Sequence, residues 1–158
     1  MKKFELTTDT KMFLGRKLFR IKALISFGNV KAGDMGGYIE KEENLSQSGN
    51  AWVSGNAEVS GNAWVSGDAR VYGNVEVYGN ARVSGDADYA TASGFGSEYR
   101  TTTFFKLKNS DKIGARCGCF YGTLKEFKEK VKETHGETKK AKEYLMLADL
   151  MEYKFSEE

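Results

Sequence analysis

From Ser48 to Tyr89 an apolar residue returns at almost every sixth position, with a smaller one two places before it. The stretch reads SGNAWV, SGNAEV, SGNAWV, SGDARV, YGNVEV, YGNARV and SGDADY, consecutive copies of one hexapeptide. Gly is always second and Asn or Asp third; the fourth residue is Ala or Val, and the sixth is Val except for Tyr89. Side chains along a strand alternate between its two faces. The fourth and sixth residues therefore point inward and the variable fifth points outward. Gly with Asn or Asp tolerates positive φ and turns a corner. Three corners close a coil of three hexapeptides, and successive coils stack about 4.8 Å apart. No coil buries its own face, so at least about three are needed.

Carried backwards, the register places Ile39 and Leu45 in the fourth, inward slot and gives coils over 36–53, 54–71 and 72–89. Trp52 then lies over Arg70 and Arg70 over Asp88, Trp64 over Arg82, and Glu58 over Glu76. An indole over a guanidinium contributes about 0.5–1 kcal/mol at an exposed site. Two stacked carboxylates are mildly unfavourable alone; a Lys or Arg partner or a bound cation would relieve them, and without a third ligand they are a weak metal signal. These columns either simply dress an outward face or, with Tyr72 and Tyr78 one slot over, make it a flat contact surface; on the second reading Trp52, Trp64, Arg70, Tyr72, Tyr78 and Arg82 are the candidate binding residues.

The flanks follow other patterns. Residues 1–35 read as an N-terminal β cap, with short strands at 4–6 and 12–14, a Gly15-Arg16 turn and a longer strand at 18–25. Beyond the repeats, 101–108 alternates as a strand, Asn109-Ser110-Asp111 turns, and 113–121 is its hairpin partner. Thr123-Leu124-Lys125-Glu126 is a capping box. It opens a helix with Leu124, Phe127 and Val131 on one face, ending near Gly136. A second helix from about Thr138 aligns Tyr144, Ala148, Met151 and Phe155. The expected organisation is a cap over 1–35, a hexapeptide β-solenoid over 36–95 and a ββαα module over 96–158.

Composition adds three constraints. The 158 residues include 18 Gly and no Pro, so glycine serves repeated turns. The formal charge of +2 hides a basic first segment and an acidic repeat region. A solvated face or a contact between the two is the favoured reading of the basic hairpin, and contact with nucleic-acid phosphates is the weaker one. No apolar stretch nears the roughly 18 residues of a membrane span. Glu5, Thr7, Thr8 and Asp9 interrupt any signal-peptide core, so a cytoplasmic, soluble chain is expected.

The titratable residues assemble no active site. His135, the single histidine, precedes Gly136 and reads as a helix C-terminal residue facing the dipole. Cys117 and Cys119 share one face of a strand, but zinc wants four ligands, typically with C-x₂-C spacing. A nucleophilic thiol needs a base beside it, and His135 is the sole imidazole. No P-loop, dinucleotide-binding glycine motif or carboxylate dyad is present. Neither catalytic nor metal-ligating residues are assigned, and no cofactor.

Two resemblances are visible. Asn29-Val30-Lys31-Ala32-Gly33, Gly36-Gly37-Tyr38-Ile39 and Asn44-Leu45-Ser46, running into Gly-Asn-Ala repeats, resemble the start of YdcK-type β-solenoid proteins of the hexapeptide-repeat class. Cys117-Gly118-Cys119-Phe120, Gly122-Thr123-Leu124, Thr134-His135-Gly136 and Ala141-Lys142-Glu143-Tyr144 resemble an uncharacterised module attached to such repeats in bacteriophage and prophage proteins. The resemblance implies a left-handed parallel β-helix of about three coils, in a mostly β chain with a small α+β end. It also implies a phage or prophage origin. Spacing alone leaves handedness open.

Three functions stay open. The favoured one is a non-enzymatic binding protein, with a host protein or a small anionic ligand as partner. The mobile-element resemblance alone adds inhibition of a host defence system, by binding a defence protein or sequestering a nucleotide signal. The second is an acyltransferase-like enzyme using a coenzyme A thioester, for which His135 is the sole candidate base. The third is a structural or assembly role. A homo-oligomer, dimer or trimer, is expected, without membrane association.

Overall fold

The structure, a computed structural model, describes residues 2–96, 100–108, 112–118 and 120–156. They fall into two compact units, Met1–Asp88 and Tyr89–Glu158.

The first unit opens with a hairpin of β1 (Phe4–Phe13) and β2 (Arg16–Ala23). Where two short strands were expected before the turn, one continuous strand forms, irregular between Leu6 and Thr10. Leu14 and Gly15 reverse the chain with φ of 50° and 79°, a turn whose twist suits the strands it joins. β2 pairs antiparallel with β3 (Met35–Ile39). The hexapeptides then supply six two-residue strands: β4 (Trp52–Val53), β5 (Glu58–Val59), β6 (Trp64–Val65), β7 (Arg70–Val71), β8 (Glu76–Val77) and β9 (Arg82–Val83). β3, β5 and β8 pair in parallel and complete a five-stranded mixed sheet, while β4–β7 and β6–β9 are separate parallel pairs.

The inward slots are closed to solvent: Ala51, Val53, Ala57, Val59, Ala69, Val71, Val77, Ala81 and Val83 are fully buried. Trp52 faces Arg70, Glu58 faces Glu76 and Trp64 faces Arg82, each three hexapeptides apart. Earlier in the chain the offset grows by two residues. Tyr38 pairs with Glu58, Ile39 with Val59, and Leu45 bridges Val65. Ile39 and Leu45 are buried as expected, but they meet sixth-slot valines rather than fourth-slot alanines. The extra residues lie between Leu45 and Val53. Gln47 of that segment accepts from the backbone N–H of Lys3 (2.7 Å) and Phe4 (3.3 Å).

The expectation of a left-handed parallel β-helix of about three coils, a β-solenoid, is corrected. Parallel pairing is confined to very short strands, two or three layers deep and divided among three sheets. Antiparallel hairpins supply most strand residues. The physical reason is that each hexapeptide spends most of its length on its corner, leaving two residues to pair. The architecture is a set of small mixed and antiparallel sheets with a helical end.

The parallel pairs have polar ends that must be satisfied. Within them each N–H donates to the layer after it, as Trp52 N to Ala69 O (3.0 Å) and Ser66 N to Val83 O (2.9 Å). First-layer carbonyls and last-layer amides are left over, and side chains take them. Lys3 Nζ donates to Ala51 O (2.6 Å) and Gly49 O (3.4 Å), and the buried Asn44 Nδ2 donates to Ala63 O (2.8 Å). At the other end Asp86 Oδ1 accepts from Arg70 N (2.8 Å) and Asp88 Oδ2 from Ser84 N (2.9 Å). The basic hairpin also reaches the acidic repeats. Lys11 Nζ meets Glu58 Oε2 at 2.6 Å, which supplies the cation that the Glu58–Glu76 column awaited, and Arg16 holds Glu40 at 2.9 Å.

Lys3 yields a prediction. It is nearly inaccessible, and burial pushes its ammonium down to about 8 from 10.5. Below about pH 8 folded and unfolded chains are both protonated. Between about pH 8 and 10.5 the fold releases the proton first, so this group makes stability rise with pH. Lys3→Met strands two carbonyls and is expected to cost about 1–3 kcal/mol near neutral pH. Urea titrations followed by tryptophan fluorescence at increasing pH should show a smaller loss, relative to wild type, below pH 8 than above it.

Among its described residues the second unit contains four strands, β10 (Tyr89–Phe95), β11 (Arg100–Lys106), β12 (Ile113–Cys117) and β13 (Phe120–Thr123), in one antiparallel sheet. The expected ββαα module is thus corrected to ββββαα. Gly118, at φ 59°, divides the long second strand in two, and the segment after the last hexapeptide joins this sheet. The expected turn at Asn109-Ser110-Asp111 lies outside the described residues. Helices α1 (Leu124–His135) and α2 (Lys139–Phe155) follow. Thr123 and Glu126 close the capping box, Gly136 ends α1, and Thr138 caps α2. Phe104, Ala115, Leu124, Phe127, Val131, Tyr144, Ala148 and Met151 form the core. No helix among the described residues is long and apolar enough to cross a membrane.

Candidate functional site

The six candidate contact residues do not share one face. Trp52 and Arg70 pair in β4–β7, and with Tyr72, Asp68 and Asp86 they line a hollow of about 610 Å³. Trp52 is buried, its ring edge-on to Phe27 at 5.3 Å. Trp64 and Arg82 pair in the separate β6–β9 sheet, where Arg82 Nη1 donates to Asn62 O at 2.7 Å. Tyr78 accepts a hydrogen bond from Arg16 Nη2 (3.0 Å), whose guanidinium lies 5.0 Å from its ring centroid. The corners between hexapeptides redirect successive outward residues, so the flat face expected from the register is divided. Trp64 and Tyr72 remain exposed.

A cleft of about 330 Å³ in the second unit has a more uniform chemistry. In α1, Phe127 and Val131 face the core, while Lys130, Thr134 and His135 reach the cleft from the helix edge and its last turn. From α2, Tyr144 forms an edge contact with Phe127 at 5.5 Å and stacks with His135 at 5.9 Å. Its hydroxyl donates to Phe95 O at 3.1 Å. From the sheet come Phe95, Arg100, Cys117 and Phe120. Gly118 has no Cβ, which leaves room for the Arg100 guanidinium to pack against it.

The described lining is rich in basic side chains. Arg100, Lys130 and His135 line the cleft, and no carboxylate does so among its described residues. Glu133 meets Lys130 only loosely, at 3.9 Å. Burial first, then the neighbouring Cys117, push the Tyr144 phenol up to about 12. It therefore stays neutral and a donor at physiological pH. Phe95, Phe120, Phe127 and Tyr144 supply aromatic walls. The arrangement suits an anion attached to an aromatic or apolar body.

Reactive chemistry is less developed. Cys117 Sγ lies 4.0 Å from Tyr144 Oη, and the His135 ring packs on the same tyrosine. The thiol thus lies beside a phenol that stays protonated. Cys119 lies outside the described residues. Among the described residues no group of three or more His, Cys, Asp or Glu side chains is placed to hold a metal.

Sequence reasoning placed Phe127, Val131 and Tyr144 on core faces and missed the cleft beside them. The available signal was Phe127, Lys130, Thr134 and His135 at helical spacing along one edge. Arg100 carried no signal, because only sheet pairing brings it there. A scan against protein-family models returns no match to the chain, and a search of curated proteins finds none either.

Proposed function

We propose that this is a non-enzymatic binding protein whose C-terminal cleft holds a small anionic ligand with an aromatic or apolar body. The observation that carries the reading is a cleft lined by Arg100, Lys130, His135 and aromatic rings, with no carboxylate among its described lining residues. In an aromatic-walled site an anion gains charge-assisted hydrogen bonds from these basic side chains. Its volume lies at the small end of the ligand-pocket range, about 300–1,000 Å³.

A finer version rests on sequence resemblance to phage and prophage proteins: a protein acting in the host cytoplasm that sequesters a nucleotide signal of a defence system. The acyltransferase alternative draws no support from His135, whose ring is packed on Tyr144.

Calorimetry with adenosine monophosphate and with inorganic phosphate tests the site. The nucleotide should bind more tightly than phosphate. Lys130→Glu, an exposed change, should weaken it at least about tenfold, since a charge-assisted bond contributes about 1.5–3 kcal/mol. No heat from either probe at millimolar concentration, or unchanged affinity in Lys130→Glu, would sink the proposal.

A further inference from the structure

We infer that α2 is a self-association surface, pairing antiparallel with α2 of a second copy of this chain. The helix has two apolar stripes where one is needed. Ala141, Tyr144, Ala148 and Met151 face the core. Met146, Leu150 and Tyr153 are 71%, 54% and 80% exposed. Spacings of four and three residues keep these three within one narrow stripe. At 3.6 residues per turn, that stripe lies diametrically opposite the core face.

Charge identifies the occupant. Lys139, Lys140 and Lys142 occupy the first turn of α2, where no acidic residue accompanies them. Cations at a helix N-terminus oppose its dipole, so the helix alone arranges them badly. Lys142 and Asp149 flank the exposed stripe on the same side, about two turns apart and straddling Met146. A two-fold axis near Met146 therefore sets Lys142 of each copy against Asp149 of the other, forming the pair twice. The same register carries Lys139 toward Tyr153 of the second copy, a cation over an exposed ring. The opposed dipoles also place each basic end beside the partner helix's negative end. Asp149 accepts from Lys128 at 3.0 Å, yet its side chain is 72% exposed and open to a second cation. An anionic membrane surface fits less well, because Glu143, Asp149 and Glu152 nearly balance the lysines of this helix. One helical stripe is small against the roughly 1,200–2,000 Å² of a standard interface, so the dimer is weak and concentration-dependent.

Sedimentation equilibrium of the full chain, from low micromolar to submillimolar concentration, provides the test. The mass should rise from 17.6 kDa toward twice that value. Met146→Glu should weaken the dimer at least about a hundredfold, because it buries two like charges at the two-fold axis. Lys142→Glu alone should weaken it about tenfold, and adding Asp149→Lys should restore wild-type association. All these positions are exposed, and unchanged far-ultraviolet circular dichroism would show that folding is intact. A constant monomer mass overturns the proposal, as does a dimer indifferent to Met146→Glu. A charge swap that fails to restore association overturns the antiparallel pairing.

Discussion

Phe127→Ala is expected to destabilise the C-terminal unit by about 3–5 kcal/mol, the range for a large buried aromatic replaced by alanine. Phe127 is 4% exposed and joins three rings: Phe104 and Phe120 at 5.8 Å and Tyr144 at 5.5 Å. Two of these contacts are edge-to-face, a geometry that adds to area burial. Removing the ring leaves a cavity between sheet and helices that rigid neighbours fill only partly. Both helices belong to this unit, so helical circular dichroism against urea reports the loss. The site should suffer with the fold, because Phe127 is a cleft wall and positions Tyr144. A shift below about 1 kcal/mol would mean that the aromatic cluster is not the centre of this core.

Gly67→Ala should cost about 3 kcal/mol, and Gly73→Ala only about 1, although both occupy the second slot of the hexapeptide. Both have positive φ, 61° and 81°. An alanine in this region loses about 1–2 kcal/mol through its Cβ and carbonyl clash. At Gly73 nothing else lies within 4 Å of an added Cβ; at Gly67 the backbone oxygen of Ser84 lies 2.6 Å away. A backbone atom of the next layer cannot swing aside as a side chain can, so the difference reflects layer contact rather than turn geometry. Urea unfolding followed by Trp52 and Trp64 fluorescence measures both variants. Equal losses would show that the turn alone sets the cost.

Much of the local structure was legible. Thr123 with Glu126, Thr138 and Gly136 are helix signals that act within a few residues, and each stands where the sequence places it. The alternation of buried and outward slots was equally readable, since a two-residue strand still alternates its faces. Larger assemblies were not. The two-residue change in offset before Val53 leaves the inward pattern intact, and only the pairing of Ile39 with Val59 reveals it. Tyr89–Phe95 is rich in small residues and commits to the antiparallel sheet through its partner β11. The carboxylates of Asp86 and Asp88 read as repeat residues, yet they cap amides that lack a following layer.

The hexapeptides from Ser48 to Tyr89 show the division most clearly. By itself the sequence determined their period, their inward valines and alanines, the positive-φ glycines at most corners, and the pairing of Trp52 with Arg70. Those properties depend on the alternation of side chains and on what each residue's backbone permits. Only the tertiary structure decided that the strands would be two residues long and shared among small sheets. It also sent the outward aromatics in different directions and gathered Arg100, Lys130 and His135 round one cleft. Those outcomes depend on which edges find partners and which polar groups are left unpaired, and both are properties of the folded chain as a whole.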